Sequence, residues 1–371
     1  MIADTPHSVR DTEGRRWPAP DGIAFLRSGR EELAQAALAR LDADDMTGAL
    51  VLLLADQDDW WRGPIATPAA LRELVLRRDC LTLREAMALL EWGPVADYFA
   101  HRWSDPTFLA GLALVEAHGP MPATAFELAC GIGHHLRELA QHGVDVTGFD
   151  VVFAKLWVAR NWVVPRARLL CLDAAQAWPF AEGGFALVAC HDAFYFLEPK
   201  PTILARLTGL LAPRGVLAIS HVHNTAWPNF SAGSGMTAAE VVAMFPGAAL
   251  YDDADLTRAL SEARAPREAS FNELASAEAF AIATGPGLLP ARAVEGGLAL
   301  PPLGASLSRN PLYDDACRRA WPSERYGHEY GRHATYPAIT TAPCHAVFGS
   351  EQGSIRDHAR RRELVHLPER W

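Results

Sequence analysis

The sequence predicts an α/β fold built on a doubly wound, mostly parallel sheet and preceded by a helical region. Three observations support this prediction. Short apolar runs alternate with helical stretches over residues 123–223, which is the pattern of βαβ units. A turn with two glycines joins the first apolar run to a helical stretch. Residues 30–118 have helical patterns, and a chain of 371 residues is long enough for one large domain with additions.

The N-terminal region, residues 1–119, is predicted to be a helical cap or a dimerisation region. Its residues up to about 28 include several prolines and glycines and are predicted to be irregular. Beyond them, helix starts are indicated by cap residues followed by a proline, or by a glutamate three positions later. These starts are Thr67-Pro68, Thr82 with Glu85, and Asp105-Pro106.

Five core strands are predicted from short apolar runs. The runs are 125–128, 145–149, 167–172, 187–190 and 216–220. Helices are predicted between them, for example over 135–142 and 201–211. In a parallel sheet the carboxyl ends of such strands meet at one edge, where ligands bind. Residues that directly follow these runs are therefore the candidates for function.

The second half of the chain has a weaker pattern. Four further elements are predicted, helices over 237–244 and 256–263 and strands over 279–283 and 345–349. Prolines, glycines and tyrosines over residues 286–343 predict long ordered loops. The predicted organisation is a core over 120–350, with a long insertion or lid after the fifth strand, and a C-terminal tail over 351–371.

The first chemical signal is the turn over residues 127–133. Gly131 and Gly133 lack side chains where the backbone must approach a ligand closely. A dinucleotide-binding turn would have a third glycine three residues later, but Leu136 stands there. Glu127 at the mouth of the turn would repel a pyrophosphate and attract a cation. The turn therefore favours S-adenosylmethionine, which carries an ammonium and a sulfonium, over a nicotinamide dinucleotide.

Two aspartates follow the next two strands. Asp150 lies about 20 residues past the turn, at a strand end where a carboxylate can accept both ribose hydroxyls. The alternative role is a helix N-cap. Asp173 ends the third strand, where it could hold the adenine amino group or serve only as a turn residue.

Histidines follow the fourth and fifth strands. His191 and Asp192 come at the end of the fourth strand, and His221 and His223 come at the end of the fifth. A histidine at this edge could act as a general base on an acceptor. The alternative is a structural hydrogen-bonding role.

In this order and spacing, the motifs resemble the class I S-adenosylmethionine-dependent methyltransferases, in particular their small-molecule, quinone-biosynthesis-like subgroup. The resemblance covers about 100 residues, 123–223, and implies a Rossmann-like core. It assigns the methionine part of the donor to the turn, the ribose to the second strand end and the adenine to the third. The implied donor-binding residues are Glu127, Ala129, Gly131, Gly133, Asp150, Val151, Asp173, Ala174 and His191. Ala129 replaces the first glycine of the family pattern, and we expect it to keep a negative φ.

The resemblance implies methyl transfer from S-adenosylmethionine to a small-molecule acceptor, with S-adenosylhomocysteine as product. Such an in-line displacement depends mainly on orientation. A base is needed only for a protonated acceptor, for which His191, His221 and His223 are the candidates. The alternatives are non-methyl chemistry such as cyclisation of the donor, an inactive scaffold, or a protein methyltransferase.

Composition and residue spacing disfavour several other functions. The net charge of −10 disfavours a nucleic-acid partner. The six cysteines form no C-x-x-C pair, and His328 and His333 are five residues apart, which is wrong for a zinc helix, so no metal is predicted. Residues 321–333 could instead line an acceptor pocket or lid. We expect no membrane segment, a reducing cytoplasmic location and a possible homodimer.

Overall fold

The computed structural model describes residues 2–228, 233–349 and 353–371. Within these ranges the chain forms an eight-stranded central sheet and two three-stranded sheets, with helices packed against them. None of the helices in the described ranges is long and apolar enough to cross a membrane.

The chain begins with an antiparallel sheet of three short strands. They are β1 Ile2–Thr5, β2 Ser8–Arg10 and β3 Arg16–Pro18. A two-residue strand, β4 Ala24–Phe25, then joins the edge of the central sheet. The prediction that this stretch is irregular was wrong. Strands of two to four residues are too short for a repeating side-chain pattern to be recognised in the sequence.

Six helices follow, as the sequence predicted for this region. They are α1 Glu31–Asp42, α2 Met46–Leu54, α3 Pro68–Arg77, α4 Leu83–Leu89, α5 Pro94–His101 and α6 Pro106–Ala117. Thr67 caps α3 through its side chain, and Thr82 forms a capping box with Glu85. Asp105 precedes α6 but does not cap it, because its carboxylate accepts a hydrogen bond from the Tyr326 hydroxyl instead.

The core alternates strands and helices from residue 124 to residue 223. The elements are β5 Thr124–Leu128, α7 His134–Gln141, β6 Asp145–Asp150, α8 Phe153–Val158, β7 Arg168–Cys171, β8 Phe185–His191, α9 Lys200–Gly209 and β9 Leu211–His223. A π-helical turn, Ala159–Val163, extends α8. All five predicted strands are present, and β9 is longer than predicted at both ends.

The remaining elements fall into two groups. Five complete the central sheet and its helices: α10 Ala238–Met244, β10 Ala249–Asp252, α11 Asp253–Glu262, α12 Phe271–Ser276 and β11 Ala279–Thr284. The others are β12 Ser306–Arg309, α13 Glu324–Tyr330, β13 His345–Val347, α14 Gly353–Arg360 and β14 Leu364–Val365. Strands β13, β12 and β14 form a separate antiparallel sheet.

The central sheet has the strand order β10-β11-β9-β8-β5-β6-β7-β4. Strands β4 to β9 in this sheet pair in parallel, and β11 runs antiparallel to both β9 and β10. The prediction of a doubly wound, mostly parallel Rossmann-like sheet is confirmed. The order reverses at β5, since β6 lies on one side of it and β8 on the other, and such a reversal opens a crevice at the carboxyl edge.

Helix α6 and the C-terminus tie the N-terminal region to this core. Eleven of the twelve residues of α6 are buried, and the helix packs against β9 and α11. The Trp371 indole donates a hydrogen bond to the Ala100 carbonyl, and Arg370 donates to the Leu81 carbonyl. The C-terminal residues therefore pack on the N-terminal helices.

The division of the chain into residues 1–119, 120–350 and 351–371 stays a prediction.

Candidate active site

A cavity of about 310 Å³ lies at the carboxyl edge of the sheet, where the strand order reverses. Three parts of the chain line it. The first is the set of turns that follow β5, β6 and β8, the second is helix α5 with Arg102, and the third is helix α13. The position is the one at which open α/β sheets bind ligands.

Glu127 is a buried carboxylate at this cavity. It lies in β5 and is 3% exposed. Its Oε1 lies 3.3 Å from Nδ1 of His135, whereas Oε2 is buried without a hydrogen-bond partner among the described residues. Burial raises the pKa of Glu127 to about 7. An unpartnered buried acceptor is costly, and an ammonium group in the cavity would supply the missing donor.

The turn after β5 contains three residues with positive φ, namely Ala129 at +56°, Gly131 at +56° and Gly133 at +84°. The expectation that Ala129 keeps a negative φ was wrong. An alanine in the left-handed region costs roughly 1–2 kcal/mol, and this turn tolerates that cost. A Cβ on Gly131 would lie 3.2 Å from the Phe99 ring, so the glycine lets α5 approach the turn.

Asp150 holds this turn from the end of β6. Its Oδ2 accepts a hydrogen bond from the Gly131 N–H at 2.9 Å, and its Oδ1 accepts one from the Val152 N–H at 2.9 Å. Lys155 Nζ lies 3.7 Å from Oδ1, and the aspartate lines the cavity. Each carboxylate oxygen has a second lone pair, so Asp150 can still accept hydrogen bonds from two ribose hydroxyls.

Other predicted donor-binding residues lie outside the lining of this cavity. In the described chain, these are Gly133, Val151, Asp173 and Ala174. Asp173 Oδ1 accepts a hydrogen bond from the Ala175 N–H at 2.8 Å, which is the turn geometry that was the alternative for this residue. The role of Asp173 and Ala174 beside the adenine, and that of Val151 beside the ribose, stay predictions.

His191 lines the cavity at the end of β8. Its Nδ1 lies 2.8 Å from Ser220 Oγ, and its ring centroid lies 4.1 Å from that of His135. Burial holds the pKa values of both histidines well below their usual range, so both are neutral near pH 7. A neutral imidazole is the form that a general base requires, but burial also makes it costly to protonate. The catalytic role of His191 stays a prediction.

Gly111 of α6 provides the space for this histidine pair. A Cβ at this position would lie 2.6 Å from His135 Nε2 and 3.0 Å from His191 Nδ1. We expect Gly111→Ala to displace the two rings and to lower the free energy of unfolding by about 1–3 kcal/mol, measured by denaturant unfolding. Gly119→Ala is the matched control, because a Cβ there would have no neighbour within 4 Å. Equal stability of the two variants would contradict this packing.

Asp192 connects the strand end to helix α5. Its carboxylate accepts hydrogen bonds from the Tyr98 hydroxyl at 2.9 Å, from Arg102 Nη1 at 3.1 Å and from the Tyr195 hydroxyl at 3.1 Å. Burial alone would raise the pKa of Asp192, but the charges of His221 and Arg102 outweigh it and hold the pKa below its usual value. The cavity wall therefore carries a fixed negative charge surrounded by phenol groups.

Helix α13 forms the third wall. Tyr326 and Tyr330 line the cavity, and the Tyr330 ring stacks on that of Tyr98 with centroids 6.3 Å apart. The Tyr326 hydroxyl donates to Asp105, whose pKa burial raises to about 8. Residues 321–333, which the sequence suggested for an acceptor pocket or lid, thus contribute side chains to this cavity.

His221 and His223 lie at the end of β9 and do not line the main cavity. His221 borders a neighbouring cavity of about 170 Å³, which shares Glu329 and Tyr330 with the first one. Burial alone would lower the pKa of His221, but Asp253 and Asp192 raise it to about 9, whereas burial and the charge of His221 lower the pKa of His223 to about 4. His221 is thus protonated near neutral pH, and the catalytic role of either histidine stays a prediction.

The sequence predicted a helical cap or dimerisation region over residues 1–119, but it did not identify which residues of α5 and of the segment after it line the cavity. Tyr98, Phe99 and Arg102 all line the cavity, although they precede the turn by about thirty residues and belong to no motif. The available signal was a dense group of aromatic and charged residues over 98–103 at the end of a helix.

Comparison with known proteins agrees with this geometry. Residues 125–215 match a family described as a methyltransferase domain. These residues form a class I, S-adenosylmethionine-dependent methyltransferase domain. The chain is 33% identical over 143 residues to a trans-aconitate 2-methyltransferase from Delftia acidovorans, with 37% of this chain and 51% of that protein covered. It is 29% identical over 159 residues to a ubiquinone biosynthesis O-methyltransferase from Pasteurella multocida, covering 38% and 64%.

Among solved structures, a TehB-like SAM-dependent methyltransferase from Corynebacterium glutamicum aligns with a TM-score of 0.34 and 20% identity, over 52% of this chain and 97% of that one. The chain spans less than two thirds of the length of the Delftia acidovorans and Pasteurella multocida relatives. The family resemblance predicted from the motifs is confirmed for the core segment. The family uses S-adenosylmethionine, and the unpartnered Oε2 of Glu127 fits the donor's ammonium.

Proposed function

We propose that the protein transfers a methyl group from S-adenosylmethionine to a small-molecule acceptor in the cavity. The observation that carries the proposal is the unpartnered Oε2 of Glu127, buried at the strand-order reversal of a methyltransferase domain. When bound, S-adenosylmethionine supplies a methyl carbon that is already activated for in-line displacement. The chain must therefore bind both molecules, orient them and exclude water.

The donor side of the proposed site is formed by the turn and two strand ends. Glu127 would accept a hydrogen bond from the donor's ammonium, and Asp150 would accept hydrogen bonds from its ribose hydroxyls. Gly131 keeps the turn free of a side chain, so that the backbone and Phe99 can enclose the methionine part.

The acceptor side would be formed by Tyr98, Arg102, Asp192 and Tyr330. They offer two aromatic faces with hydroxyl groups and the ion pair of Arg102 with Asp192, and these groups can orient a small polar molecule. The names of two relatives, for trans-aconitate and for ubiquinone biosynthesis, support an acceptor of this size. The walls of α5 and α13 around a cavity of about 310 Å³ favour a small molecule over a protein chain.

Composition supports two further parts of the proposal. The net charge of −10 favours a partner other than a nucleic acid. The six cysteines are all free thiols, and Cys80 and Cys344 are exposed, which is typical of proteins from reducing compartments. We therefore propose a cytoplasmic location. The homodimer stays a prediction.

The proposal is tested by an acceptor screen read by mass. The protein is incubated with S-adenosylmethionine and a panel of small carboxylic acids and phenols. We expect one acceptor to gain the mass of one methylene while S-adenosylhomocysteine forms in equal amount. Formation of methylthioadenosine instead would identify donor cyclisation or another non-methyl reaction. A donor that binds without turning over on any small molecule, but methylates a protein extract, would replace the small-molecule proposal.

Tyr98→Phe separates the acceptor side from the donor side. The substitution removes the hydroxyl that donates to Asp192 at 2.9 Å and leaves the ring in place. We expect kcat/KM for the acceptor to fall by about 10-fold, the loss of one hydrogen bond to a charged group, while the dissociation constant of S-adenosylhomocysteine stays the same. Tyr313→Phe is the control, because its hydroxyl donates to the Pro337 carbonyl and Tyr313 does not line the cavity. An equal loss in both variants would remove Tyr98 from the acceptor site.

A further inference from the structure

We propose that Asp192, His221 and His223 form a binding site for a divalent transition-metal ion such as Zn²⁺. One potential ligand atom from each residue lies within 4.8 Å of the other two. The residues come from the carboxyl ends of the neighbouring strands β8 and β9. The proposal concerns metal binding alone, so it stands or falls independently of methyl transfer.

The backbone is distorted where these ligands leave the sheet. Between the pairs Ile219–Ile282 and Val222–Phe280, two residues of β9 stand opposite one residue of β11, which is a β-bulge. His221 in this bulge has a φ of +54°, and Asp192 has a φ of +52°. Such backbone strain is concentrated at functional sites, where the surrounding structure holds it. The His221 and His223 rings lie with their centroids 4.7 Å apart.

Asp253 and the residues around Asp192 hold the ligands in position. The Asp253 carboxylate accepts hydrogen bonds from His221 Nδ1 at 2.9 Å and from the His221 backbone N–H at 3.1 Å. This fixes the His221 ring and leaves Nε2 for a metal, as carboxylate–histidine pairs do around zinc. Asp192 is likewise held by Tyr98, Tyr195 and Arg102, and metal-binding carboxylates are normally hydrogen-bonded in this way.

His223 provides an independent observation. Its Nε2 is buried and has no hydrogen-bond partner within residues 2–228, 233–349 and 353–371. Buried ring nitrogens are normally paired, so an unpaired one in a cluster of ligand-type residues indicates a missing partner. A metal ion between the three side chains would bond this nitrogen directly.

The donor set defines the class of metal. Two imidazoles and one carboxylate suit Zn²⁺, Fe²⁺ and related ions, whereas Mg²⁺ and Ca²⁺ prefer sites made of oxygen atoms. Three protein ligands leave at least one coordination position open. Asp192 also lines the main cavity, so the ion would lie next to the space assigned to the acceptor.

No residue spacing in the sequence indicates this site. The prediction of no metal rested on the cysteines and on His328 and His333, whereas these ligands are drawn from strands that meet only in the folded sheet. His221 and His223 are two residues apart, and Asp192 precedes them by about thirty residues, a separation that matches no recognised metal motif.

The test is a titration of the chelator-treated full-length protein with Zn²⁺ and with Co²⁺ at mildly alkaline pH. Calorimetry gives the stoichiometry, and the visible absorption of bound Co²⁺ reports nitrogen and oxygen ligation. We expect one saturable site in the wild type, its loss in His223→Ala, and an affinity about 10–100-fold weaker in Asp253→Asn. His345→Ala, which removes an exposed histidine from a different sheet, should bind as the wild type does.

Circular dichroism and thermal unfolding establish that each variant is folded before the titration. His223→Ala removes a side chain that holds no hydrogen bond at Nε2, so it is expected to fold. Absence of a saturable site in the wild type would overturn the proposal and leave His221 as a cation shared between Asp192 and Asp253. Binding that His223→Ala and Asp253→Asn leave unchanged would also overturn it.

Discussion

Replacing Asp150 by alanine is expected to weaken the binding of S-adenosylhomocysteine by at least about 100-fold. The reason is the loss of two hydrogen bonds from ribose hydroxyls to a charged carboxylate, each worth about 1.5–3 kcal/mol. The substitution also removes the acceptor for the Gly131 and Val152 N–H groups, so the turn itself loses support. Isothermal titration calorimetry with S-adenosylhomocysteine measures the change directly.

Two further variants show whether a loss of affinity is specific to Asp150. Asp145→Ala removes an exposed carboxylate at the opposite end of the same strand and should leave the affinity unchanged. Asp173→Ala tests the predicted adenine contact separately, since Asp173 is placed in a local turn outside the cavity lining. An Asp150→Ala protein that is folded and binds as tightly as the wild type would remove Asp150 from the donor site.

Replacing Glu127 by glutamine is expected to weaken donor binding by about 10–100-fold above pH 8. The substitution should also abolish the dependence of donor affinity on pH that we expect in the wild type. In the wild type, burial raises the pKa of Glu127 from the ordinary value of 4.5 to about 7. The ammonium of the donor is attracted by the ionised carboxylate only, so affinity should rise with pH through this range. Glutamine cannot ionise, and the loss corresponds to one charge-assisted hydrogen bond.

The same pKa predicts an opposite trend for the stability of the donor-free protein. A carboxyl group whose pKa is raised by folding stabilises the fold below pH 4.5, and this contribution is lost as pH rises through about 7. The stability of the wild type relative to Glu127→Gln should therefore fall over this window. Glu138→Gln, at a buried carboxylate outside the cavity, retains Glu127 and should keep the pH-dependent donor affinity of the wild type. A wild-type donor affinity that is flat in pH would contradict the ionisation of Glu127 in the site.

The sequence was most informative where the chain repeats a local pattern. The five core strands, the capping box of Thr82 and Glu85 and the strand-end positions of Asp150 and His191 all follow from short-range periodicity and cap chemistry. The glycine turn was located correctly because a strand, a close backbone approach and a helix occur within ten residues. These features are local, so one stretch of sequence contains all the information needed.

The features that sequence reasoning missed depend on contacts between distant segments. Helix α5 reaches the cavity because Phe99 packs against Gly131 and because Tyr98 and Arg102 bond to Asp192. Such pairs are separated by about 30 to 90 residues, and no periodicity links them. The positive φ of Ala129 was missed for a related reason, since alanine rarely adopts it unless the surrounding fold imposes it.

The assignment of the cavity as a methyl-donor site is tested by calorimetric titration of the wild-type protein with S-adenosylmethionine, S-adenosylhomocysteine and NADH. We expect one binding site for each adenosyl compound and none for NADH, because Glu127 attracts the donor's ammonium and repels a pyrophosphate. Absence of binding for both adenosyl compounds, with or without candidate acceptors present, would contradict the assignment of this cavity as a methyl-donor site.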